Sequence, residues 1–123
     1  MPVIDHVGFE VASLERSAPF YDAVFEAIGG GRAYADPDTI AWGIGEPQLW
    51  LTARSRPAPG FGHIALRAPD RACVRAAHAA GLEHGGTDDG PPGLRPAYGP
   101  TYYAAYLRDP DGLRIEVVTR AER

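Results

Sequence analysis

The chain holds a single cysteine, Cys73, and a single methionine at its start. One thiol rules out an internal disulfide, so the fold has to stand on packing, and a reducing cytoplasm is the expected setting. A basic excess is also missing. Lys+Arg number 12 against 16 Asp+Glu, for a net charge of −4, the opposite of what a nucleic-acid surface needs. No apolar run is long enough to span a bilayer, and Met1-Pro2-Val3-Ile4-Asp5 shows no signal-peptide pattern. What remains is 123 residues of which 45% are hydrophobic. That suffices for one compact domain, or for two small halves sharing a core.

The strongest local signal lies near the end, from Tyr102 to Val118. Asp109-Pro110-Asp111-Gly112 is a turn by its chemistry: Asp109 can bond the turn's backbone, Pro110 pre-sets φ, and Gly112 accepts a left-handed conformation. In the strand after it, Leu113, Ile115 and Val117 point one way and Arg114, Glu116 and Val118 the other. The strand before it alternates Tyr103, Ala105, Leu107 against Tyr102, Ala104, Tyr106. Opposed residues of an antiparallel pair share a face. A plain two-residue turn would mix the faces, whereas one extra residue, a bulge at Gly112, restores them and sets Tyr106 across from Glu116.

Earlier in the chain, Ile4–Val11 reads as a strand with Val7, Phe9 and Val11 on one face and His6, Gly8 and Glu10 on the other. Ser13 is a helix N-cap, and Phe20, Val24 and Ile28 recur at helical spacing until Gly29-Gly30-Gly31. Pro19 suits a first turn, which places the regular helix from Ser17. Short strands follow at Arg32–Ala35, Thr39–Gly43 and Gln48–Ala53, then a proline-rich linker over 54–60. The pattern restarts at Gly62-His63-Ile64-Ala65-Leu66. Asp70 caps a helix over Arg71–Ala80 that Gly81 stops, Glu83–Thr87 is a short strand, and 88–100 is a Gly/Pro-rich loop. His63 sits 57 residues after His6, in the same local context. Two βαβββ units therefore lie end to end, over 1–53 and 61–120, within a single domain spanning 1–123.

In each unit the apolar strand face covers the helix. The other faces carry His6, His63 and Glu116. Two imidazoles and one carboxylate are a facial set for a divalent metal with positions left open for water or substrate. A lone strand histidine is more often structural, and Glu116 alone would suit a solvated face; recurrence of the histidine and agreement of all three faces favour the metal set. His78, on a helix, and His84 lack such support and read as surface residues. Cys73 reads as a small core residue, and Trp42, Phe61 and Tyr103 as ordinary packing.

These pieces carry a resemblance. Ile4-Asp5-His6-Val7, Leu14-Glu15-Arg16-Ser17 with Phe20-Tyr21, Gly62-His63-Ile64-Ala65-Leu66, and Asp109-Pro110-Asp111-Gly112 leading to Ile115-Glu116 span nearly the whole chain. Together they resemble the vicinal oxygen chelate superfamily of glyoxalase I, bleomycin-resistance proteins, fosfomycin-resistance enzymes, methylmalonyl-CoA epimerase and extradiol dioxygenases. The resemblance implies an α+β fold in which two tandem βαβββ units form a partly open, cupped eight-stranded mixed sheet or barrel with helices outside. It implies metal ligands at His6, His63 and Glu116 and one divalent ion (Fe, Mn, Ni, Co or Zn). It also implies an active-site tyrosine at Tyr106 and a homodimer. The family's fourth ligand, a glutamate in glyoxalase-like members, matches Trp50, and indole neither ligates nor takes a proton. The dioxygenase-like pattern from Tyr106 to Glu116 lacks the histidine that should precede it.

The expected function is a metal-dependent enzyme on a small molecule with vicinal oxygens, a lyase, isomerase or dioxygenase. Trp50 and Tyr102 would wall the cavity, and Arg67 or Arg95 would hold a substrate carboxylate. Neither nucleic acid nor a membrane is an expected partner. The rival reading is a metal-free binding protein of the bleomycin-resistance kind.

Overall fold

The computed structural model describes residues 4–54 and 63–123. The linker expected over 54–60 falls mostly, and Phe61 wholly, outside them. The first unit runs β1 (Val7–Val11), α1 (Leu14–Ala27), β2 (Gly31–Ala35), β3 (Thr39–Gly43) and β4 (Leu49–Ala53); the second runs β5 (His63–Arg67), α2 (Arg71–Glu83), β6 (Thr87–Leu94), β7 (Tyr103–Arg108) and β8 (Arg114–Thr119). Each unit makes a four-stranded mixed sheet, in the orders β1-β4-β3-β2 and β5-β8-β7-β6. The first strand of each unit pairs in parallel with the last, and the other pairs are antiparallel. The duplication read from the sequence is thus a duplication of topology. Within one chain the two sheets stay separate and close no barrel.

Alternation decides which faces meet. Phe20, Tyr21 and Val24 of α1, Val74 and Ala77 of α2, Leu49 and Leu51 of β4, and Ile115 and Val117 of β8 join one buried cluster, so both sheets share a core with both helices. Fully buried Trp42 lies in it, and its Nε1 donates to Asp22 at 2.8 Å. Tyr103 and Cys73 pack against its edge.

Ser13 caps α1 by accepting from the Arg16 amide at 3.2 Å, and Asp70 caps α2 by accepting from the Cys73 amide at 2.8 Å. Four expectations need correcting. Helix α1 starts at Leu14 and carries Pro19 inside it, the Ser13 cap holding the first turn in place. Helix α2 runs through Gly81 to Glu83. Gly81 is needed where α2 crosses α1: a Cβ there would stand 2.7 Å from Leu107 Cδ1 and 3.1 Å from Phe20 Cε1. Its role is clearance, and the chain turns only at Gly85, where φ is +99°. The Thr87–Leu94 stretch is a strand and not a loop. It tolerates Pro91 and Pro92 because β6 is an edge strand whose register with β7 shifts twice.

His78 is also buried, not a surface residue; its Nε2 lies 2.8 Å from Asp88 Oδ1 at the start of β6. That contact holds the Asp88 carboxyl below its usual range. Among the described residues no helix is long and apolar enough to cross a membrane.

Candidate active site

The β7–β8 hairpin carries the expected bulge. Gly112 has φ +88°, its amide donates to the Asp109 carbonyl at 2.9 Å, and Tyr106 pairs with Glu116. The loop is anchored from inside. Asp109 accepts from the amides of Asp111 at 2.9 Å and Leu113 at 2.8 Å and from the Tyr21 hydroxyl at 2.7 Å. Burial raises the Asp109 carboxyl above its ordinary pKa and holds the Tyr21 phenol well above its own.

On the helix-free face of the second sheet stands Glu116, with a relative exposure of 2%. Its Oε1 lies 3.1 Å from His63 Nε2, and its Oε2 accepts from the Tyr102 hydroxyl. Burial first, and then the bond to Glu116, push the Tyr102 phenol up to about 12. Tyr106 is raised too, by burial and by the negative charge of Glu116. Both hydroxyls therefore keep their protons at neutral pH and can serve as donors. Its ring packs between two guanidinium groups, Arg114 at 4.1 Å and Arg95 at 5.6 Å from the centroid. Arg95 lies along Gly90 and Gly93 and donates to the Pro91 carbonyl at 2.6 Å.

On the first sheet, His6 precedes β1 and its Nδ1 lies 2.7 Å from Asp5. Its ring meets Trp50 edge-on at 6.2 Å, and Trp50 meets Tyr34 at 5.3 Å. Trp50 thus occupies the helix-free face opposite the core residues Leu49 and Leu51 of its own strand.

A seam cavity of about 530 Å³ between the two sheets is lined by His6, His63 and Arg67 among others. Of the residues singled out in the sequence, the structure therefore groups His63, Glu116, Tyr102, Tyr106 and Arg95 on one face. His6 and Trp50 lie on the other sheet. Asp5, Tyr34 and the Gly90–Gly93 floor were not read from the sequence. Asp5 had a signal, since a carboxylate beside a histidine is a usual orienting partner.

The donors present fit a metal in part. Two ligands of one divalent ion, each about 2.1 Å from it and roughly at right angles, sit about 3 Å apart, which the His63–Glu116 pair matches. A buried carboxylate also calls for a compensating cation. Among the described residues, however, no group of three His, Cys, Asp or Glu side chains forms. Within one chain the described geometry brings two such donors together, His63 and Glu116.

A family model for the glyoxalase/bleomycin resistance protein/dioxygenase superfamily matches residues 3–117. The chain belongs to that superfamily. Among solved structures, a glyoxalase/bleomycin resistance protein from Albidiferax ferrireducens is 32% identical, with a TM-score of 0.82 over 95% of this chain and 98% of that one. A glyoxalase-related enzyme from Fulvimarina pelagi shares the fold at 22% identity and a TM-score of 0.74, over 96% of this chain and 88% of the other. Glyoxalase I from Zea mays matches at 22% identity and a TM-score of 0.69, covering 96% of this chain and 44% of the maize chain. No curated protein sequence matches. Against the superfamily's two-unit plan, Glu116 on the last strand and His63 on the first strand of the second unit stand on one shared face.

Proposed function

We propose that the protein is a divalent-metal-dependent enzyme acting on a small molecule with two vicinal oxygens. The observation that carries the reading is the buried Glu116 carboxylate facing His63 at 3.1 Å on a helix-free face. His63 and Glu116 would hold the ion. His6, exposed at the end of the first sheet and backed by Asp5, would complete the set from a second copy of the chain, making the working unit a homodimer. Imidazole and carboxylate suit Fe, Mn, Ni, Co or Zn, and such an ion supplies Lewis-acid polarisation of the substrate oxygens.

The chain's own residues carry out the remaining tasks. Tyr102 fixes the Glu116 carboxylate by donating to it. Tyr106, protonated and braced between Arg95 and Arg114, donates to an oxygen that gains negative charge. Trp50 and Tyr34 give the substrate an aromatic wall, and Arg67 and Arg95 offer guanidinium groups to a substrate carboxylate. Trp50 at the fourth-ligand position weighs against glyoxalase I chemistry and towards a three-ligand lyase, isomerase or dioxygenase.

One observation favours a second reading. A protonated His63 would by itself neutralise Glu116, which suits a metal-free binding protein. Titration of untagged protein with Mn, Fe, Ni and Zn separates the two. Stoichiometric binding that is lost in His63→Ala and Glu116→Gln is expected. Failure of all four ions to bind would leave only the binding protein.

A further inference from the structure

Besides Arg95, which lies over Tyr106, the helix-free face of the second sheet holds four arginines around Glu116 and its neighbours, and these four divide into two groups. Arg114 and Arg108 share the Asp89 carboxylate, at 2.7 and 3.2 Å. Arg67 and Arg120 have no carboxylate partner among the described residues. Arg67 pairs in register with Val118 of β8, and Arg120 follows two residues later, so alternation keeps both on the face of His63 and Glu116. The Arg120 guanidinium stands over the Tyr102 ring at 5.1 Å, which confirms that side.

Both arginines line a second cleft of about 580 Å³, whose walls include Ile28, Ile44 and Val118. Ile28, Ile44 and Arg67 also line the seam cavity that reaches His63. The two spaces are therefore neighbours with a common wall, apolar along its length and cationic at one end. At about 3.3 Å per strand residue, Val118 and Arg120 lie roughly 7 and 13 Å along the sheet from Glu116.

We propose that this cleft seats the anionic end of an elongated, largely apolar substrate, with Arg67 and Arg120 gripping a carboxylate or phosphate while the body lies along Ile28 and Ile44. Guanidinium groups that meet no carboxylate among the described residues, beside apolar walls, match such a ligand in charge and in surface. This also specifies the substrate of the proposed enzyme, and to that extent rests on it: an anion roughly 7–13 Å from the oxygens that reach His63 and Glu116.

The test is calorimetric titration of the full chain with octanoate, octyl phosphate and 1-octanol, in native protein and in Arg67→Gln, Arg120→Gln and the remote Arg32→Gln. At least one anion should bind, 1-octanol far more weakly, and each of the first two substitutions should weaken the anion about tenfold while Arg32→Gln leaves it unchanged. The stronger of octanoate and octyl phosphate identifies the head group. Equal affinity in all variants, binding of 1-octanol as tight as that of the anions, or no binding at all would overturn the proposal. Manganese titration of the same samples keeps the readings apart: anion binding without metal binding removes the enzyme and leaves the seat, and metal binding without anion binding does the reverse.

Discussion

Glu116 is the residue around which the second sheet's outer face is arranged, and its orientation depends on Tyr102. With the phenol pushed up to about 12 against an ordinary 10.0, the native state keeps a proton that the unfolded chain releases first. Stability therefore falls as pH rises from about 10 towards 12, and is untouched by this group below that window. Tyr102→Phe should remove the step near 12 from the tyrosinate absorbance titration. Because it leaves a buried carboxylate oxygen without its donor, it should also cost about 1–3 kcal/mol in urea unfolding at neutral pH. The pairing of Tyr106 with Glu116 was legible in the sequence, because alternation and turn length are local counting rules. The grip of Tyr102 on Glu116 was not, since Tyr102 lies just before β7 and strand parity says nothing about how far a side chain leans. His78 was misread for a related reason: a lone histidine on an alanine-rich helix gives no hint that Asp88 will be carried beside it.

At the scale of elements, the crossing of α1 and α2 ties the two units together, and Gly81 sets how closely they approach. Gly81→Ala gains helix propensity worth about 1 kcal/mol, yet its methyl would press on Leu107 and Phe20. Overpacking costs typically 1–3 kcal/mol, so a net loss of up to about 2 kcal/mol in denaturant midpoint experiments is expected; a variant more stable than native would show that the helices can spread. From sequence, a glycine near a helix end reads as a stop, and only the neighbouring helix reveals it as clearance. Strand β6 was illegible for a similar reason. Thr87-Asp88-Asp89-Gly90-Pro91-Pro92-Gly93-Leu94 has turn composition throughout, and it is extended because β7 offers a partner and because Gly90 and Gly93 leave room for the Arg95 side chain. Strands β5 and β8, with clean alternation, were read within a residue, and β1 was read three residues too long at its start.

The whole molecule presents two sheets whose outer faces carry His6 on one and His63 with Glu116 on the other, the ligands proposed above, and the core gives each sheet only one covered side. A site shared between two copies makes a prediction that a site within one chain does not. Co-expressed His6→Ala and His63→Ala chains should regain metal binding in mixed dimers, each mixed dimer holding one intact set, so that about a quarter of all sites recover on random pairing. Neither variant alone should bind. No recovery in verified mixed dimers would place all three ligands in one chain.

The bulge at Gly112 has a consequence that reaches beyond its loop. It acts as a phase shift in a two-beat pattern. Remove one residue there and every side chain from Leu113 onward changes places: the carboxylate of Glu116 is driven into the oily interior, and Ile115 and Val117 are turned out onto the open face. Descendants of this chain can therefore rewrite the letters of that loop far more freely than they can alter its length.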